Sequence, residues 1–300
     1  MPFSHHILKR SRQPKARIAL DAGDQLGEGP HWDAGAGELL RVDIIRGLVH
    51  GWRPDTGASW SLQLDGEVSA VVPRSGGGLV LAIEHDLVLF SDGTRRRLAT
   101  TEQDVADNRF NDCRADPQGR LWAGTMSRSR TSGAAGLYRL APGGALERVL
   151  GDTTISNGLG WSPAGDRLYF IDSPTRRIDV FDFDGASGAV AHRRPFATID
   201  PGRGLPDGLA VDAEGGVWVC LFGGAAIHRY SPDGALDAVV ALPVTNPTCP
   251  AFGGADLTTL YVTSAQHRLS REQLAAEPHA GAVLAIDVEI AGLPSHRFAG

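Results

Sequence analysis

The amino-acid sequence predicts an all-β fold, a six-bladed β-propeller with four-stranded antiparallel blades. Three observations carry this expectation. The 300 residues include 38 glycines and 18 prolines but only two lysines, Lys9 and Lys15, which favours strands joined by tight turns over a surface of Lys/Glu helices. Six segments repeat one pattern of strand, glycine-containing turn, strand and strand. Their turn positions, Asp33, Arg74, Asp116, Ser162, Asp212 and Gly253, recur every about 40 to 50 residues, the period of a four-stranded blade.

The elements follow in chain order. Residues 1–15 are basic and polar, lack the apolar run of a signal peptide, and read as a flexible tail before a single propeller domain over residues 16–300. "ARIALDAG", residues 16–23, is a strand without a blade of its own. It is expected to supply the outer strand of the last blade, closing the ring and removing an exposed edge. The blades then open near "WDAGAGELLRVDIIRG", "VPRSGGGLVLAIEHDLVLFSDG", "ADPQGRLWAGTM", "WSPAGDRLYFIDS", "VDAEGGVWVCLFGG" and "FGGADLTTLYVTSAQHR". Asp92-Gly93, Asp184-Gly185 and Asp233-Gly234 follow aromatic strand endings and read as hairpin turns. Asp207-Gly208 in "LPDGLAVD" does not, because it follows a Leu-Pro corner and runs into an apolar stretch, where a strand begins.

Composition narrows the function. The net charge is 29 − 35 = −6, with no basic patch beyond residue 17, which argues against a nucleic-acid or anionic-membrane partner. No stretch approaches the roughly 18 apolar residues of a membrane span. Cys113, Cys220 and Cys249 are odd in number and lack CxxC spacing, so reduced thiols in a cytoplasmic protein are expected. No GxSxG, HExxH, P-loop, or GxGxxG with an acidic partner is present.

Five residues before each turn position stand Glu28, Ser69, Asn111, Asn157, Asp207 and Thr248. The innermost strands of a propeller line its channel, so equivalent positions near their starts form a ring around one mouth. This ring is entirely polar. Glu28, Asp207, Asn157 and Asn111 offer hard oxygen donors without sulfur or imidazole, a set that suits Ca²⁺, Mg²⁺ or Mn²⁺ and also accommodates Zn²⁺. Without a cation the two carboxylates would raise one another's pKa. Taken singly, Glu28 is a loop carboxylate, Asn157-Gly158 a turn, Asn111 with Asp112 an Asx-turn and Arg109 a solvated side chain; their shared ring position favours a site. Ser69 and Thr248 read as channel lining, His31 as packed, and Trp122, Trp161 and Trp218 as sheet packing. Arg128 and Arg130 read as a solvated loop, with recognition of an anionic substituent as the alternative.

"LGEGPHW", "NRFND", "RLWAGTM", "ISNGLGWSPAGDRLYFIDS", "LPDGLAVD" and "FGGADLTTLYVTSA" resemble the motifs of the SMP-30/gluconolactonase family, in the same order, over roughly residues 19–300. The resemblance implies a six-bladed propeller carrying one divalent metal ion (Ca, Mg, Mn, Fe or Zn) and hydrolysis of a sugar-derived lactone, a pentono- or hexonolactone, to the aldonic acid. By motif, Glu28, Asn157 and Asp207 resemble the family's metal ligands, and Arg109 and Asn111 its substrate contacts. Residue spacing reaches those ligands and Asn111 but not Arg109. One departure stands out: regucalcin-like members carry acidic residues after "GTM", whereas this chain reads "SRSR", residues 127–130. The expected mechanism has the metal polarising the lactone carbonyl while Asp207, or a metal-bound hydroxide, activates water. The alternatives are a non-catalytic calcium- or ligand-binding propeller and a lactonase for an anionic-substituted or non-sugar lactone. A closed ring leaves no obligatory edge, so a monomer is expected.

Overall fold

The computed structural model describes residues 14–300; the segment 1–13, with nearly all of the expected tail, lies outside the described residues. Alternating apolar runs separated by glycine turns fold into six four-stranded antiparallel sheets, as the repeat predicts. Blade 1 runs outward from Gly27–Asp33 through Glu38–Asp43 and Leu48–Trp52 to Ser59–Gln63. The inner strands of blades 2 to 6 are Val68–Pro73, Asn108–Ala115, Ser156–Trp161, Leu205–Val211 and Pro247–Gly253. Ala16–Leu20 pairs antiparallel with Val283–Asp287 as the outermost strand of blade 6, which closes the ring. Among the described residues the single α-helix is Arg271–Ala276, begun by a capping box between Ser270 and Gln273. Among the described residues no helix is long and apolar enough to cross a membrane.

Burial grades from axis to rim. The inner strand Ser156–Trp161 is buried throughout, whereas the outer strand Val190–Thr198 of the same blade is mostly exposed. Apolar side chains fill the gaps between neighbouring blades. Trp122, Trp161 and Phe183 meet edge-to-face with centroids 6.0 Å apart, so Trp122 and Trp161 serve packing, as does the buried Trp218.

At the far mouth the turns are held by buried carboxylates. Asp116 Oδ1 accepts from the backbone N–H of Gln118 and Arg120, and its Oδ2 accepts from Trp122 Nε1 at 2.9 Å and Arg120 Nε at 2.5 Å. Asp212 repeats this with Glu214, Gly216, Trp218 and Arg229. The C-terminal segment crosses here, Gly292 bridging to Asp212 and Phe298 to Arg74, with the buried Phe298 packed into the core of blades 2 and 3.

Candidate functional site

Each of the six ring residues lies on an inner strand, beside a break in pairing with its neighbour. Register is lost between Glu28 and His31, Val68 and Ala70, Phe110 and Cys113, Asn157 and Leu159, Pro206 and Leu209, and Pro247 and Pro250. A bulge adds an unpaired residue and re-aims side chains, so the sequence spacing has a backbone cause. The glycines after Asn157 and Asp207 do not make turns: neither has positive φ. A methyl group on Gly208 would collide with Cys249 Sγ, and one on Gly158 would lie 2.9 Å from the Asp207 carbonyl oxygen. They are small because adjacent inner strands converge at the axis.

Hydrogen bonding divides the ring into two groups. Thr248 Oγ1 donates to Gly27 O at 2.6 Å, Ser69 Oγ to Phe110 O at 2.5 Å and Asn111 Nδ2 to Ser156 O at 2.9 Å, each stitching one inner strand to the next. Asn157 Nδ2 donates to Ser173 Oγ at 2.9 Å, and Ser173 Oγ passes a bond to Pro206 O at 2.7 Å.

The two carboxylates accept few bonds. Glu28 accepts from Gly29 N at 2.9 Å, and among the described residues neither Glu28 nor Asp207 enters a salt bridge. Burial pushes the Glu28 carboxyl up to about 8, with the charge of Asp112 adding to the effect, although Glu28 keeps some surface open to the pocket. Asp207 is also raised well above the usual carboxylate range, first by burial and then by Glu28 and Asp112; a hydrogen bond from Asn157 opposes this. Asp112, which the sequence places in a local Asx-turn with Asn111, is itself buried, and burial raises its pKa.

Glu28, Arg109, Asn111, Asn157 and Asp207 line one cavity of about 120 Å³, together with Phe222, Arg130, His267 and Arg268. A larger cavity of about 300 Å³ opens at the far mouth, lined by His31, Arg114, Trp161 and His296. It contains no carboxylate and no ring residue, so size and chemistry point to different ends, and the chemistry decides for the smaller one. His31 there is held neutral by burial and by Arg114, with its pKa lowered to about 3.

Arg109 is buried, with Nε 2.9 Å from Glu67 Oε2, and its Nη1 donates to Asn111 Oδ1 at 2.9 Å and to Phe110 O at 2.8 Å. It therefore sets the orientation of the Asn111 amide. Glu67 escaped the sequence reading, yet it stands two residues before Ser69 as Arg109 stands two before Asn111, so the family motif that supplies Arg109, transferred to the preceding blade, points to it. Arg128 is not the solvated side chain expected, because its Nη2 lies 3.0 Å from Glu67 Oε2 and also bonds Glu84. His267 and Arg268 lie in a loop without periodicity and carried no signal.

The donor chemistry fits a divalent cation. Glu28 and Asp207 bring two carboxylates, neither in a salt bridge among the described residues, into one pocket, and Asn157 adds an amide oxygen, since Ser173 and Asp207 draw on its nitrogen.

The model of the SMP-30/Gluconolactonase/LRE-like region matches residues 26–266. Regucalcin of Gallus gallus is 35% identical over 287 residues, covering 92% of this chain and 95% of that protein. A 6-deoxy-6-sulfogluconolactonase of Pseudomonas putida is 37% identical over 279 residues, covering 92% and 95%. The crystal structure of a calcium-binding protein, regucalcin, from Agrobacterium tumefaciens strain C58 superposes with a TM-score of 0.92 at 30% identity, covering 96% of this chain and 98% of that one. Matched across most of the propeller and similar to these relatives over nearly their whole lengths, the chain belongs to the SMP-30/gluconolactonase/LRE-like family.

Proposed function

We propose that this chain is a divalent-cation-dependent lactonase that opens a sugar-derived lactone, of pentono or hexono size, to the aldonic acid. The observation that carries this reading is the pair of carboxylates, Glu28 and Asp207, without salt bridges among the described residues and in one pocket with Asn157. The relative described as a 6-deoxy-6-sulfogluconolactonase supports the reaction class.

Glu28, Asn157 and Asp207 would hold the cation, which when bound supplies Lewis-acid polarisation of the lactone carbonyl. Arg109 and Asn111 hold the substrate beside it, the amide fixed by the guanidinium. Asp207 accepts a proton from the attacking water as the new carbon–oxygen bond forms. The acyl–oxygen bond of the ring then breaks, and the ring oxygen leaves as a hydroxyl carrying that proton.

A calcium-binding propeller without catalysis is the second reading, favoured by the solved regucalcin described as a calcium-binding protein. Acid release from a panel of aldonolactones separates the two, comparing chelator-stripped protein with protein given Mg²⁺, Ca²⁺, Mn²⁺, Fe²⁺ or Zn²⁺, after subtraction of spontaneous hydrolysis. Turnover that vanishes with chelator and returns with one ion supports the lactonase; bound metal without turnover sinks it. The protein is proposed to act as a monomer of one propeller domain, and a sedimentation mass of twice 31.7 kDa would overturn that. Three buried cysteines without disulfides favour a reducing, cytoplasmic setting.

A further inference from the structure

Arg130 and Arg268 line the same cavity as Glu28 and Asp207. Arg130 follows the strand Leu121–Ser127 of blade 3, and Arg268 follows Thr259–Ser264 of blade 6. Two neighbouring arginines are neutralised within the protein. Arg109 pairs with Glu67, and Arg128 pairs with Glu67 and Glu84, so two cations and two anions cancel. Neither Arg130 nor Arg268 has a carboxylate within ion-pairing distance among the described residues.

What they do have is each other. Partial burial, and then the charge of Arg268, hold Arg130 below the usual arginine pKa. Arg268 Nε lies 3.4 Å from Nε2 of His267, whose ring is kept neutral by burial and by Arg268, Arg109 and Arg130. Both arginines hold left-handed backbone angles, φ 61° and 69°, which non-glycine residues adopt at a cost. The two like charges repel across the pocket, and an anionic ligand would offset that repulsion. Guanidinium forks with free N–H groups recognise planar or tetrahedral oxyanions.

We propose that Arg130 and Arg268 form a subsite for a fixed anionic group on the substrate, so that the lactone opened here carries a phosphate, sulfonate or carboxylate remote from its reacting carbonyl. The assignment rests on the lactonase reading for the reaction and on the two arginines for the charge. Both side chains are exposed at the pocket, so the remote group binds without complete loss of its water.

The test compares metal-loaded protein on a neutral hexonolactone with hexonolactones of the same skeleton bearing phosphate, sulfonate or carboxylate at C6. The wild type should favour at least one anionic lactone by about tenfold or more in kcat/KM, chiefly through KM, and the ranking of the three names the anion. In the double variant Arg130→Gln/Arg268→Gln this preference should fall by about tenfold or more, with Arg130→Lys/Arg268→Lys keeping part of it. Preference for the neutral lactone, or an unchanged ratio in the double variant, overturns the subsite. If no lactone is opened above its spontaneous rate, the lactonase reading fails separately. Calorimetric titration of the C6-phosphorylated, C6-sulfonated and C6-carboxylated aldonates against the neutral aldonate then decides the subsite: arginine-dependent binding of an anionic one supports it, and equal binding refutes it.

Discussion

The two mouths of the channel treat buried carboxylates in opposite ways, and Asp207 and Asp212 show it five residues apart, at the two ends of the inner strand Leu205–Val211. Asp212 accepts from two backbone N–H groups, from Trp218 Nε1 at 2.9 Å and from Arg229 Nε at 2.7 Å. Asp207, 8% exposed, shares a pocket with Glu28 and has no salt bridge among the described residues, and both carboxyls are driven toward their neutral forms. A buried carboxylate whose oxygens are all satisfied stabilises a turn; one left beside a like charge is suited to a ligand from outside the chain.

The comparison breaks most readily at Asp207 itself. Asp207→Ala should lower turnover by about 10²- to 10⁴-fold or more while the thermal transition of the metal-free protein holds or rises. Asp212→Ala should do the reverse, costing about 3 kcal/mol of stability because Arg229 and Trp218 lose their acceptor, with kcat of the folded fraction retained. Steady-state kinetics beside calorimetry decide it; an inactive Asp212 variant of full stability would erase the distinction.

A second test asks whether the near mouth is electrostatically unbalanced without metal. With the Glu28 pKa raised from 4.5 to about 8, the folded state holds a proton that the unfolded state releases across that window. Its contribution is complete below pH 4.5 and is lost as pH rises through about 8, so the chelated protein should melt at lower temperature at pH 8 than at pH 5. A divalent ion at about 100 times its Kd should restore about 2.7 kcal/mol. A pH-independent transition in chelator would mean that the two carboxylates are balanced by something else.

The smallest effect sharpens the split within the ring. Thr248→Val removes the bonds to Gly27 O and Thr263 Oγ1, and should cost about 1 kcal/mol in urea unfolding while kcat/KM changes by less than about twofold. A large loss of activity would move Thr248 from the stitching to the site.

Much of this was legible in the chain. The period of the glycine turns encoded six blades, "ARIALDAG" encoded the closing strand, and counting back from each turn reached the six residues that the bulges direct to the axis. Repeats are readable because equivalent positions in successive blades meet the same surroundings. Which ring residues stitch one blade to the next was not readable, since Asn111 and Asn157 carry the same amide at equivalent positions and differ in the partners that the fold presents.

By itself, then, the sequence determined the fold, its closure and the polar ring, all consequences of local periodicity. Tertiary structure alone decided that Arg128 is consumed by Glu67 and Glu84 while Arg130, two residues on, shares the pocket with Arg268 from three blades away. Charge balance is set by distance in space, and loop residues 138 positions apart (268 − 130) have no common period through which a linear chain could announce that they meet.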